Sequence, residues 1–295
     1  PDSADAHFER ARRQLRENEP LGARSSLDKA LQLAPDRVDI NVFEAELLLA
    51  QGNADAALTI AREIQEAHPD STQGFILAGD VLMSQQQPQA AIAEYEAAVA
   101  HSAARGPMIK LQAAHRSQGN IAKADILLRN WLSTHSDDVP IRIMLATSMM
   151  QGGDLQLAER EYIQALKYQP DNAILHNNLA WLYSQTADSR ATEHAKRALE
   201  LLPDNPNVLD TYGWILAQGE SPHQGLSLLE KAIERAPGDP LIRYHLAGTL
   251  ALIGQPSQAR RELEYILESK QTAVDTQVIE QAIRDLQEAT PDSEG

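Results

Sequence analysis

The sequence predicts an all-α solenoid of eight helix-turn-helix repeats followed by a C-terminal capping helix, and three observations predict it. A pattern of small and large apolar residues recurs about every 34 residues along almost the whole chain, the signature of a stacked-repeat architecture. Within each period the apolar residues fall three and four apart, the spacing of one helix face. Aromatic residues make up only 4% of a chain that is 43% hydrophobic, and alanine is abundant, which suits close helix-on-helix contact better than a core of bulky rings.

The frame is clearest from Val139 to Asn172, where position 7 is Leu145, 8 Ala146, 11 Met149, 15 Gly153, 20 Ala158, 24 Tyr162, 27 Ala165 and 32 Pro170. Taken in order, the first unit (4–37) keeps Ala11, Ala23, Leu27, Ala30 and Pro35, and its first helix is charged. The second (38–71) keeps Ala45, Leu48, Gly52, Ala57, Ala61 and Pro69; the third (72–104), one residue short, keeps Gly79, Leu82, Ala91, Tyr95 and Ala98. The fourth (105–138) is the least regular, with Gln112 at position 8 and Trp131 at position 27. After the fifth (139–172), the sixth (173–205) loses one residue in a turn near Thr186–Arg190; the seventh (206–239) has Gly225 for the position-20 alanine, and the eighth is 240–270.

Small residues at positions 8, 20 and 27 let two antiparallel helices approach closely, and a bulky side chain there would cost about 1–3 kcal/mol in overpacking. Gly52, Gly119, Gly153 and Gly254 stand where the first helix ends and a left-handed residue is wanted, with Asn53, Asn120 and Asp154 placed to cap the second helix. Pro35, Pro69, Pro170, Pro203 and Pro237 close their units. Residues 275–289 carry Val278, Ile279, Ala282, Ile283 and Leu286 on one face and charges on the other, as a solubilising cap needs. Residues 290–295 are expected to fray.

This spacing resembles the tetratricopeptide repeat over about nine tenths of the chain. The resemblance implies a right-handed superhelix whose first helices line a concave groove through positions 2, 5, 6, 9, 12 and 13. A narrower likeness lies in HNNLAWLY (176–183), LDTYGWIL (209–216) and residues 242–267. These segments look like the C-terminal repeats of the lipoprotein that accompanies exosortase exopolysaccharide systems in Gram-negative bacteria.

The formal charge is -16, and the acidic excess runs through both halves, so the electrostatic footprint for nucleic acid or an anionic membrane surface is missing. There is no cysteine, hence no disulfide, zinc ribbon or thiol nucleophile. The chain begins at Pro1 with no signal-type segment or apolar run of membrane-spanning length, and reads as a mature or trimmed piece, any targeting sequence being expected upstream. No HExxH, P-loop, strand-borne GxGxxG or GxSxG is present. Among nine histidines, His68, His101 and His135 fall at second-helix ends, where a cation meets the helix dipole favourably. His176, His194, His223 and His245 are scattered without ligand spacing, so no metal or cofactor is expected. Glu159 with Glu161, and Glu262 with Glu264, point to different helix faces and read as solvated surface; Met149 reads as core.

The groove positions of the last three units hold Asn177, Asn178 and Trp181, then Asp210, Thr211 and Trp214, then Tyr244 and His245. Amides can pair with an extended backbone while Trp and Tyr supply apolar area, so these eight residues are the candidate site for a protein or peptide partner. A family-type carboxylate clamp would need lysine, asparagine and arginine in consecutive repeats; only the asparagines fit, since Arg243 is one turn off and Lys110 isolated. The sequence thus points to a non-catalytic scaffold, in the periplasm or anchored to the outer membrane of an exopolysaccharide or protein-sorting system. A cytoplasmic peptide-binding adaptor or co-chaperone, and the regulatory region of a larger enzyme, are the alternatives.

Overall fold

The computed structural model describes residues 3–219, 221–269 and 274–289; the end of the eighth repeat at Lys270 and the tail from residue 290 lie outside them. Among the described residues there are seventeen helices and no strand. They run α1 (Ala4–Arg16), α2 (Pro20–Leu33), α3 (Val38–Ala50), α4 (Ala54–Ala67), α5 (Thr72–Ser84), α6 (Pro88–His101), α7 (Arg105–Ser117) and α8 (Ile121–Thr134). Then follow α9 (Val139–Gln151), α10 (Leu155–Tyr168), α11 (Ala173–Ser184), α12 (Arg190–Leu201), α13 (Pro206–Gln218), α14 (Pro222–Arg235), α15 (Pro240–Leu252), α16 (Pro256–Ser269) and α17 (Thr276–Ala289). The chain divides into two compact units, Pro1–His135 and Ser136–Gly295.

Within each unit, odd and even helices pair, and odd helices of successive pairs also touch: α3 with α5 and α5 with α7 in the first unit, α11 with α13 and α13 with α15 in the second. That contact puts the odd helices on the inner side of each stack. The small-residue positions are buried to closure: Ala11, Ala23, Ala45, Ala57, Ala146, Ala158, Ala165, Ala180 and Ala198 are each at most 1% exposed. Where alanine gives way to glycine the approach is tighter still. A Cβ on Gly225 would lie 2.5 Å from the Gly213 carbonyl oxygen, and one on Gly79 would lie 2.4 Å from Cε1 of Tyr95. Met149 is core, and α17 packs on α16, with Ile279 fully buried among Leu246, Leu250, Leu263 and Ile266.

The turn between paired helices is set by one residue with positive φ. Gly52, Gly119, Gly153 and Gly254 adopt it (φ 71 to 85), and so do Asn18, Gln86 and Ala187 (φ 52 to 62) at the same position 15. The expected caps after it are only partly formed. Asn53 accepts a hydrogen bond from the Ala56 N–H at 3.4 Å, whereas Asn120 and Asp154 make no such bond. Their ψ of 54° and 60° is close to the 64° of Asn53, so backbone conformation alone does not separate the formed cap from the two that are missing. The side-chain caps sit before the first helices instead, at Ser71, Asp138, Asn172, Asn205 and Asp239.

Candidate functional site

Three first helices of the second unit, α11, α13 and α15, begin in the same way. Asn172 accepts hydrogen bonds from Ile174 and Leu175 N–H (3.0 and 3.2 Å), Asn205 from Asn207 and Val208 (3.0 and 3.2 Å), and Asp239 from Leu241 and Ile242 (2.9 and 3.1 Å). Such caps fix the first turn and hence the phase of the helix. Positions 5 and 9, one turn apart, therefore share one face in each helix.

The structure gathers four of the eight expected residues, all at these positions, around a fifth, the His245 imidazole at position 6. His245 Nδ1 lies 2.9 and 3.0 Å from the two carboxylate oxygens of Asp210. Its ring stacks on Trp214 (4.6 Å between centroids, 19°), and Trp181 and Tyr244 lean on it at 5.7 and 6.3 Å. His245 is 4% exposed, Asp210 and Thr211 6% each. His245, held by Asp210, lies against the aromatic rings as their support, while Trp181, Trp214 and Tyr244 remain partly open. Asn178 hydrogen-bonds the Tyr162 hydroxyl, which also meets Thr147 Oγ1 at 3.0 Å; burial pushes that phenol upward. Asn177 stands beside Asn178 with its Oδ1 buried and unpartnered.

Trp214 divides two cavities. One, about 280 Å³, is apolar and is lined by Trp214, Tyr244, Leu263, Ala282 and Leu286, with Asp285 its carboxylate. Gly248 opens it: a Cβ there would sit 3.1–3.2 Å from the indole. The other, about 520 Å³, is mixed, with Gln185, Asp188, Ser189, Thr192 and Gln218 in its wall beside Ala187, Ala191 and Ile215. There the Arg190 guanidinium holds the Asp188 carboxyl down to about 2, by direct hydrogen bonding first and by its bond to the Arg190 N–H second. Sequence reasoning missed Gly248, Ala282 and Leu286 as site residues. The last two were visible only as the apolar face of the cap.

Several isolated residues of the sequence have partners in the structure. Lys110 bonds both oxygens of Asp80 (2.7 and 2.8 Å), which also accepts from the Tyr95 hydroxyl at 2.6 Å; it is part of a cluster between neighbouring repeats, not an isolated cation. Arg243 is taken up by Glu262 and lies 3.7 Å over the Tyr265 ring. Glu159 and Glu161 face different ways, as their spacing requires, yet both are ion-paired, with Arg190 and Arg142, so they are not simple solvated surface. His176 and His194, far apart in sequence, touch through their Nδ1 atoms at 2.9 Å. Among the described residues no set of three or more His, Asp or Glu could hold a metal ion, and no helix is long and apolar enough to cross a membrane.

Two tetratricopeptide-repeat family profiles match, one over residues 14–78 and 216–278 and the other over 143–206, together more than half of the chain. The chain is 28% identical over 250 residues to cellulose synthase operon protein C of Komagataeibacter xylinus, covering 81% of this chain and 18% of that protein. It is 26% identical over 150 residues to the type IV pilus assembly protein PilF of Pseudomonas aeruginosa, covering 50% of this chain and 60% of that protein. The chain thus spans only part of the length of these relatives. In structure it is similar to a tetratricopeptide-repeat protein from Parabacteroides merdae, with a TM-score of 0.66 at 10% identity over 84% of this chain and 98% of that one. It is also similar to the Cut9–Hcn1 assembly of the APC/C, with a TM-score of 0.62 at 15% identity over 96% of this chain and 54% of that one.

Proposed function

The chain belongs to the tetratricopeptide-repeat family, and we propose that it is a non-catalytic scaffold whose second unit holds an extended segment of a protein partner along α11, α13 and α15. The observation that carries this reading is the aromatic set Trp181, Trp214 and Tyr244, held over the buried Asp210–His245 pair beside an apolar cavity. Aromatic rings at the centre of a surface are the usual anchors of binding energy. Rings already locked by stacking lose little side-chain freedom when a partner arrives, so more of the contact energy appears as affinity. A cavity of about 280 Å³ accepts one large apolar side chain of that segment.

Nothing in the arrangement favours chemistry of its own. A carboxylate oriented on an imidazole could serve a nucleophile, but His245 is buried and one face of its ring is covered by Trp214. The carboxylate-clamp mode of peptide capture is disfavoured on the same grounds, because Lys110 and Arg243 are engaged by Asp80 and Glu262.

We further infer a place in the envelope of a Gram-negative bacterium, within an exopolysaccharide or protein-sorting assembly. Support comes from the names of the two relatives, cellulose synthase operon protein C and PilF, and from the exosortase-lipoprotein likeness of residues 176–183, 209–216 and 242–267.

The test is a panel of extended peptides selected against the protein and then measured against Trp181→Ala, Trp214→Ala and Asn178→Ala. A groove aromatic should lose about 1–4 kcal/mol of binding on truncation, tenfold or more in Kd. If both tryptophan variants melt earlier yet bind the peptides unchanged, the rings are packing and the groove reading fails. Fractionation of host cells tests the envelope assignment separately.

A further inference from the structure

One hydrogen-bonded position recurs along the chain with different side chains. The fourth residue of a repeat repeatedly binds the carbonyl oxygen six residues earlier, at the end of the preceding repeat. Asn41 Nδ2 donates to Pro35 at 2.7 Å, Arg142 Nε to Ser136 at 2.9 Å, and Arg243 to Pro237 at 3.0 and 2.7 Å. Arg142 and Arg243 spend a further N–H on Glu161 and Glu262 of the paired second helix. Each arginine thereby ties the incoming chain, the first helix and the second helix together. In the sixth repeat the position-4 residue is His176, whose Nε2 meets the Pro170 carbonyl at 2.9 Å, and the residue in the glutamate's place is His194.

A carbonyl oxygen only accepts, so Nε2 of His176 carries a proton. In neutral His176 its Nδ1 is then a bare lone pair. The Nδ1–Nδ1 separation of 2.9 Å therefore needs one proton on the line between the rings, donated by His194 when both are neutral. With one added proton the bond survives. With both rings imidazolium, neither nitrogen can accept, and two like charges face each other.

We propose that the His176–His194 pair is a proton-sensitive fastening between α11 and α12, which releases on acidification where the Arg–Glu pairs of the fifth and eighth repeats hold. The surroundings do not cancel the effect. The cavity beside the pair, about 300 Å³, is lined on α12 by Glu193, Lys196, Arg197 and Glu200, and no residue of α10 or α13 enters it. Arg197 is bound by Asp171 and Glu200, and Arg190 by Asp188 and by Glu159 of α10. The Tyr183 ring of α11 lies 5.5 Å from His194, its hydroxyl donating to Glu159. Burial first, and the neighbouring His176 second, hold His194 below its ordinary value of 6.5, with only Glu193 pulling it up.

The direction of the response follows from proton counting. Between the depressed folded value and 6.5 the unfolded chain binds the proton that the folded repeat refuses, so stability is complete above about pH 6.5 and falls as pH drops below it. Each extra proton taken up by the open form raises the opening constant by as much as about tenfold per pH unit.

Native-state hydrogen exchange, normalised for intrinsic rate, should be compared at pH 7.5 and 5.5 for the intact chain and two variants. One is His176→Arg with His194→Glu, which copies the neighbouring repeats; the other is His176→Asn, which copies Asn41 and keeps the carbonyl bond without a titrating ring. In the unmodified protein, protection of α11 and α12 should fall by up to about tenfold relative to α9 and α10. The double variant should abolish that difference, and His176→Asn should reduce it. An acid response in either variant equal to that of the unmodified chain, or none in the unmodified chain, overturns the proposal.

Discussion

Replacing Ala187 by glycine should stabilise the protein, and replacing Gly153 by alanine should destabilise it by a comparable amount. Both stand at the turn between paired helices with positive φ, 52° and 85°. An L-residue in that region carries a cost of about 1–2 kcal/mol from its Cβ against the backbone. Glycine avoids it but loses about 0.5–1 kcal/mol more conformational entropy on folding. The difference leaves a net gain of about 0.5–1 kcal/mol for Ala187→Gly. For Gly153→Ala the sign reverses, and the structure isolates the conformational part, because a Cβ at Gly153 meets nothing within 4 Å. Gln86 should behave as Ala187 does; Asn18 should gain least, since asparagine tolerates this region. Urea unfolding followed by circular dichroism reads the differences. A neutral Gly153→Ala, or an Ala187→Gly that unfolds more easily, would refute the assignment of cost to φ.

Gly79→Ala should lose about 1–3 kcal/mol, because the new methyl group drives the Tyr95 ring from its place and strains its bond to Asp80; a calorimetric melt within experimental error of the unmodified protein would contradict this. Gly225→Ala should cost at least as much, since the obstacles it meets are backbone atoms of Gly213 and Ala217, not a movable ring. Removing the chain from Asp275 onward should expose Leu263 and Ile266 and cause aggregation or a lower Tm, whereas a monodisperse truncated protein with an unchanged melt would mean that α17 is dispensable. Asp188, held at about 2 by Arg190, contributes fully above the ordinary aspartate range and loses that contribution only as pH falls from about 3.8 through 2. Arg190→Gln should therefore alter acid unfolding below pH 4.

The helix pairs were legible in the sequence because they rest on local spacing: small residues at 8, 20 and 27, a turn residue at 15 and a proline at 32 are all read within one repeat. Even there, composition outran conformation. The glycines at position 15 announced a left-handed turn, but Gln86 and Ala187 adopt the same φ without the residue that signals it, because the repeat's packing on both sides fixes the turn whatever occupies it. The caps show the same limit. Asn120 and Asp154 have the right chemistry for a cap and nearly the backbone of Asn53, which forms one, yet neither side chain makes the bond.

The groove positions were legible as a set and their interactions were not. Positions 5, 6 and 9 were implied by the tetratricopeptide resemblance, which is why Trp181, Asp210, Trp214, Tyr244 and His245 could be named together. Which of them support and which are presented depends on how far one repeat is rotated against the next, a quantity no single repeat encodes. The structure shows the rule that rotation produces: position 9 of one repeat meets position 6 of the next. Asp80 receives Lys110 there, Thr147 reaches Asn178 through the Tyr162 hydroxyl, and Trp214 stacks on His245. The slot thus holds an ion pair in the first unit, and in the second a hydroxyl–amide chain followed by an aromatic stack. A repeat array keeps its backbone geometry through such changes because each slot touches only its two neighbours. That freedom is what allows one stretch of an otherwise acidic, alanine-packed solenoid to carry an aromatic face.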